Sequence, residues 1–290
     1  MSDLNTQLAS IWTRALRSAH HSVILDLGTP DEPRRDAGVD IDPDRAYSGA
    51  SMIKTFLAEM VSEDVDAGRF SWGQSVQIRA DHLTGGDGVL PGWQMPATIA
   101  LHDLVHLMVI ISDNSATNVV ADLLGTMEEV NDRLATAGIT SRMRRWVGGE
   151  TDAERANDPR RDQWSADPSL PSTAGLSVVS PRDHHEAMWR MRTQPRHRTV
   201  WRMFEAQQDR RGLVRHLDDE LTFARKTGTD QGVRHDGGIL PLPDGRTVAI
   251  TVFTDVTDRV ESVDHPSSVA IGQGMRDTLH LLGHGALVVV

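Results

Sequence analysis

The 290-residue chain contains no cysteine, a single tyrosine and only two lysines among its 30 basic residues. The absence of cysteine excludes disulfides, thiolate nucleophiles and cysteine-ligated zinc in one step. A net charge of −11 excludes the broad basic surface that non-specific nucleic-acid binding requires. It does not exclude a small-molecule substrate, even an anionic one held by a few local cations. No stretch approaches 18 uninterrupted apolar residues, so no membrane-spanning segment is expected. The N-terminal residues lack a basic stretch followed by an apolar core, which makes a cytoplasmic address the expectation. What is present is ordinary for a soluble globular protein: 39% hydrophobic and 24% charged residues, on a chain long enough for one large domain or two lobes.

The two lysines are Lys54 and Lys226; the other basic residues are arginines. On an exposed face the two side chains are nearly interchangeable, so a chain that drifts towards arginine loses lysine there first. A buried lysine differs from arginine in that it can release its proton, and it presents a compact point charge instead of a planar fork. The two remaining lysines either mark positions where arginine would not serve or fall where they do by chance.

Hydrophobic spacing divides the chain into regions. An amphipathic N-terminal helix leads into a strand at residues 22–28, followed by an exposed polar loop. From Ser51, the apolar residues Met52, Ile53, Phe56, Leu57, Met60 and Val61 recur with helical period. Residues 81–97 form a loop rich in glycine and proline. Thr98 is the expected cap of a strongly apolar helix, and two further helices end near Gly125 and Gly138. Residues 147–179 have little period and many turn formers. Ser180-Pro181-Arg182-Asp183 then opens another helix with a cap residue, a first-turn proline and a first-turn acid. Strands follow around residues 221–229, 237–243 and 246–255, and a helix closes the chain. Strands at both chain ends and helices in the middle predict an α/β (α+β) protein. Its antiparallel sheet lobe (about 1–48 and 195–290) is built from both ends, and an all-helical lobe spans about 49–194. No repeat or low-complexity tract is present.

Three short motifs carry chemistry. Ser51 and Lys54 are three apart at a helix start, so their side chains share a face, and a desolvated lysine can take the proton of a serine hydroxyl. Ser112-Asp113-Asn114 follows the most apolar helix and can present a hydroxyl and an amide to a cleft, or simply end that helix. Lys226-Thr227-Gly228 lies in a strand, where the glycine marks a close approach by a ligand or another backbone. Both lysines of the chain fall inside these motifs.

S-x-x-K, S-D-N and K-T-G in this order are the signature set of class A β-lactamases and penicillin-binding proteins. The chain resembles that family over about residues 20–290, including the N-x-x-x-D-x-x-G that follows S-D-N. The resemblance implies a serine hydrolase with no cofactor. Ser51 would be the acylated nucleophile, Lys54 its base or proton shuttle, and Ser112 the relay to the leaving group. Backbone N–H groups of Ser51 and Thr229 would form the oxyanion hole. Asn114 would hold the donor's amide, Lys226, Thr227 and Gly228 its carboxylate, with Arg234 or His235 as a second cation. The expected donor is a β-lactam, amide or ester carrying a carboxylate. The alternatives are a cytoplasmic esterase or acyltransferase, or a penicillin-binding protein that acylates without turnover.

One departure matters. The family carries, in the loop after S-D-N, a glutamate within a pattern resembling R-W-E-x-x-L-N that activates the deacylating water. Here Arg145-Trp146 is followed by Val147, which leaves Glu150 as the substitute candidate, with Asp152 and Glu154 behind it. Deacylation is therefore expected to be impaired. No metal site is expected: the adjacent pairs His20-His21 and His184-His185 point to different faces, and no H-E-x-x-H spacing is present.

Overall fold

The computed structural model of the chain describes residues 3–143, 147, 177–230, 232–255 and 265–289. Five antiparallel strands form the main sheet in the order β2-β1-β10-β9-β8. They are β1 (His20–Gly28), β2 (Ala37–Ile41), β8 (Ala224–Asp230), β9 (Val233–Pro241) and β10 (Thr247–Asp255). The central strands β1 and β10 pair over nine residues, from His20 opposite Asp255 to Gly28 opposite Thr247. Their side chains are buried on both faces of the sheet, which explains continuous apolar runs such as Val23-Ile24-Leu25 where an open sheet would alternate.

Each face has its own core. On the outer face, α1 (Asp3–Ala15) and the C-terminal helix α8 (Pro266–Leu281) pack Leu8, Trp12, Ile271 and Met275 against Leu25, Val248 and Ile250. On the inner face lies the helical region: α2 (Lys54–Asp66), α3 (Leu101–Ile110), α4 (Asn114–Leu124), α5 (Met127–Thr136), α6 (Pro181–Thr193) and α7 (Arg198–Glu205). Its core runs from Phe56, Leu104 and Val120 to Ile239 and Phe253 of the sheet. Among the described residues, no helix is long and apolar enough to cross a membrane.

The structure departs from the sequence reading in two places. Residues Ala97–Ala100 form strand β5, paired with β4 (Ser75–Ile78), and α3 begins at Leu101 with Ala100 at its cap. Thr98 therefore faces Gln77 across a ladder and caps nothing. The polar loop after β1 contains β2, an edge strand whose small apolar content hides it from periodicity.

Asp183 ties two distant segments together. One carboxylate oxygen accepts from the backbone N–H and the hydroxyl of both Thr140 and Ser141, at 2.7–3.1 Å. Ser180, the cap of α6, accepts from Asp183 N–H at 3.1 Å. This knot holds the chain just after α5, upstream of Val147, against the start of α6. Replacing Asp183 with alanine leaves these donors without an acceptor, a loss expected to cost about 3 kcal/mol. Urea unfolding of Asp183→Ala should show that loss as a lower midpoint at unchanged slope.

Candidate active site

Ser51 lies in a short 3-10 turn, Ala50–Ile53, that runs directly into α2. Ala50 before it has φ 44°, and Ser112 has φ 60°, so both serine-bearing junctions hold a non-glycine residue in the left-handed region. Such a conformation costs about 1–2 kcal/mol and persists only where the surroundings enforce it. At Ser51 the enforcement comes from β8. A Cβ on Gly228 would lie 2.8 Å from Met52 Cγ and 3.1 Å from the Gly49 carbonyl, so only glycine lets the K-T-G strand press against this turn.

Lys54, the first residue of α2, is fully buried. Its Nζ lies 2.6 Å from the Ser112 carbonyl and 2.8 Å from Asn114 Oδ1, to both of which it donates, and 3.0 Å from Ser112 Oγ, whose hydroxyl can donate to the neutral amine. Lys226, equally buried, reaches the same hydroxyl from the sheet: its Nζ lies 3.1 Å from Ser112 Oγ and 2.8 Å from the Thr227 carbonyl. Burial drives the Lys54 pKa well below the ordinary lysine value, and the neighbouring Lys226 charge lowers it further. Burial also lowers Lys226, to about 8, against the opposing pull of Asp209 and Asp87. The shift favours the neutral amine at Lys54, the form proton abstraction needs, while Lys226 keeps its ammonium below pH about 8, the form anion binding needs.

The S-D-N segment is held from behind. Asp113 Oδ1 caps α4 by accepting from Ala116 N–H at 2.9 Å, and its Oδ2 accepts from Val89 and Leu90 N–H at 2.6 and 3.0 Å. The loop before it fits only because Gly88 (φ 123°) has no Cβ to strike that carboxylate. Asn114 donates to the Gly85 carbonyl at 3.1 Å while accepting from Lys54.

A cavity of about 350 Å³ opens beside these groups, lined on one side by Ser51, Ser112, Thr227 and Thr229. The facing wall is the segment Gln207–Arg211, which sequence reasoning passed over. Gln208 N–H donates to the Ile110 carbonyl and Leu213 N–H to Asp236, so the segment bridges from α3 to the sheet across the cleft. Arg211 forms a two-point pair with Asp209, at 2.9 and 2.7 Å. Burial would raise the Asp209 pKa, yet the Arg211 pairing holds it at about 2, so the carboxylate is ionised. The sequence signal was the adjacent pair Arg210-Arg211 before Gly212, unremarkable among so many arginines.

The other expected site residues are placed differently. His235 is buried away from the cavity, stacked on Phe253 with centroids 4.1 Å apart; its Nε2 lies 2.8 Å from the Ser48 carbonyl, and its Nδ1 accepts from Thr254 N–H. Burial lowers its pKa to about 4, so it is neutral and supplies no cation. The expectation for His235 is corrected on that ground. Arg234 donates to the Asp230 and Val233 carbonyls and does not line the cavity, a place that Arg211 takes. Glu150, Asp152 and Glu154 lie outside the described residues. Val147 is described: Asn118 clamps it, donating to its carbonyl and accepting from its N–H, both at 2.9 Å. The half-buried valine packs on the inner core, and an alkyl side chain cannot take a proton from water.

A two-faced antiparallel sheet, a helical region and a serine–lysine cluster where they meet define the class A β-lactamase type of fold. Residues 5–275 match the model of the β-lactamase enzyme family, and the chain belongs to that family, a family of serine hydrolases. Among curated proteins it is similar to the β-lactamase regulatory protein BlaB of Streptomyces cacaoi, 25% identical over 316 residues, covering 92% of this chain and 96% of that one. Among solved structures it is similar to a β-lactamase from Sphaerobacter thermophilus, with 26% identity, a TM-score of 0.75 and coverage of 96% and 97%. PBP-A shares the fold at 20% identity and a TM-score of 0.75, with coverage of 98% and 97%.

The Lys226 titration gives a pH prediction. Its ammonium is present below pH about 8 and is lost as pH rises through that value. Folding disfavours this charge, so the group's contribution to stability recovers between about pH 8 and the unfolded value near 10.4. If the charge holds the donor, acylation falls above pH about 8. In Lys226→Arg, whose charge cannot titrate there, that alkaline limb should vanish, with a lower rate at pH 7 because the fork cannot sit at Ser112 as the ammonium does. Stopped-flow acylation rates from pH 6 to 10 measure both effects.

Proposed function

We propose that the protein is an acyl-transfer enzyme that forms an ester on Ser51 and releases it slowly. The observation that carries the reading is the buried Lys54 amine, hydrogen-bonded to Ser112 and Asn114 one helical turn from Ser51. Ser51 Oγ attacks the donor carbonyl and its proton passes to Lys54 Nζ. The resulting oxyanion faces the backbone N–H groups of Ser51 and Thr229, where loss of one donor typically costs about 2.7–4 kcal/mol. As the tetrahedral intermediate collapses, the C–N or C–O bond to the leaving group breaks. Ser112 Oγ gives that group its proton and is reprotonated from Lys54. Lys226, Thr227 and Gly228 form the wall for the donor's carboxylate, with Arg211 as the second cation in place of Arg234 or His235.

Deacylation is the weak step, because the clamped residue at the position of the family's glutamate is Val147. A long-lived acyl-enzyme suits a protein that reports on β-lactams or passes its acyl group to an acceptor better than water. The Streptomyces cacaoi relative is a β-lactamase regulatory protein, which agrees with the first of these. A cytoplasmic esterase or acyltransferase is the second reading, favoured by the same valine.

Intact-protein mass spectrometry after mixing with a reactive cephalosporin tests the reading. The expected result is one adduct that persists for many minutes and is absent in Ser51→Ala. In Val147→Glu the adduct should clear at least tenfold faster. No adduct in the native protein with any activated β-lactam or ester would contradict the proposal, and rapid clearance would contradict the assignment of slow release.

A further inference from the structure

From the surface of α3, we infer a second site that the acyl-transfer reading does not use: a divalent transition-metal site formed by His102 and His106. The two residues are four apart on the helix, so their side chains stack on one face. His102 and His106 are both half-buried, their ring centroids 5.8 Å apart with planes at 42°. A metal ion about 2.0–2.1 Å from each coordinating nitrogen lies about 3.2 Å from each ring centre, so a tetrahedral angle spans about 5.2 Å between centroids. A small side-chain rotation closes the difference.

Two further contacts prepare the pair. His102 Nδ1 lies 2.8 Å from Asp103 Oδ1, which fixes the tautomer with its proton on Nδ1 and turns the Nε2 lone pair outward. This is the carboxylate–histidine arrangement that orients ligands and raises their basicity at metal centres. The Trp72 ring meets His102 edge-on, with centroids 6.3 Å apart, and limits the tilt of the imidazole. Burial and the neighbouring His102 lower the His106 pKa, against the opposing pull of Asp103. No hydrogen bond to the His106 ring is present among the described residues, so a ligand there displaces nothing. The helix N-terminus next to His102 opposes a cation, and the Asp103 charge offsets it. Imidazole ligands suit zinc, copper and nickel, with water completing the shell.

The position links the site to the cleft. The same helix ends at Ile110, one residue before the Ile111-Ser112 segment at the cavity wall. An ion bridging His102 and His106 pins one turn of the element that delivers Ser112.

The test is titration of metal-free protein with Zn²⁺ in competition with a chromogenic chelator, paired with copper electron paramagnetic resonance. The native protein should show one tightest equivalent, with nitrogen hyperfine structure from two imidazoles. His102→Asn and His106→Asn should each weaken that equivalent by at least tenfold, and Asp103→Asn by about tenfold, the usual effect of losing an orienting carboxylate. The adduct-forming rate of Ser51 in metal-free His106→Asn should match the native protein. Equal affinity in the native chain and both histidine variants would assign the ion to other histidines and overturn the inference. A variant that fails to fold is recognised by circular dichroism, and His102→Gln then serves in its place.

Discussion

Two buried ammonium-forming groups meeting at one hydroxyl set the terms for the rest of this molecule. Lys54 and Lys226 approach Ser112 Oγ from opposite sides, at 3.0 and 3.1 Å, and neither is exposed to solvent. Two charges meeting at one hydroxyl in a low-dielectric interior repel, which favours the loss of one proton. The interior decides which. Asp209 and Asp87 support the Lys226 charge, and that charge, added to burial, presses the Lys54 pKa down against the pull of Asp87 and Asp113. Arginine at position 54 would keep its proton and could not accept that of Ser51.

The surrounding architecture is what keeps three separate chain segments at that point. Gly228 lets β8 lie against the Ser51 turn, and Gly88 lets the loop before it lie against Asp113. The Asp113 carboxylate joins that loop to the start of α4. Left-handed backbone at Ala50 and Ser112 is the local cost of aiming two hydroxyls into one cavity. A strained junction of this kind is stable only because a two-layer core on each face of the sheet holds its flanks in place.

Much of this was legible in the sequence, for identifiable reasons. Long periodic runs such as Met52–Val61 and the continuous apolar strands declare themselves because burial demands them. Lysine scarcity drew attention to Lys54 and Lys226, which the fold then brings to the same serine. What escaped reading depended on contacts between distant segments. Thr98 has the chemistry of a cap but sits in a ladder with Gln77, a pairing that no local pattern encodes. Arg211 enters the cleft because Gln208 and Leu213 anchor its segment to α3 and the sheet, while His235 looks cationic until its burial against Phe253 is known. The valine at 147 was visible, but its clamp by Asn118 was not.

The most direct test follows from the same scarcity. With only two lysines in the chain, selective labelling with ¹³Cε-lysine yields two side-chain resonances, assignable with Lys226→Arg. Followed from pH 5 to 11, the account predicts one resonance at the neutral-amine shift through neutral pH and the other titrating near pH 8. Two resonances titrating together near the free-lysine value would contradict it, because Lys54 would then be charged at neutral pH and could not accept the proton of Ser51.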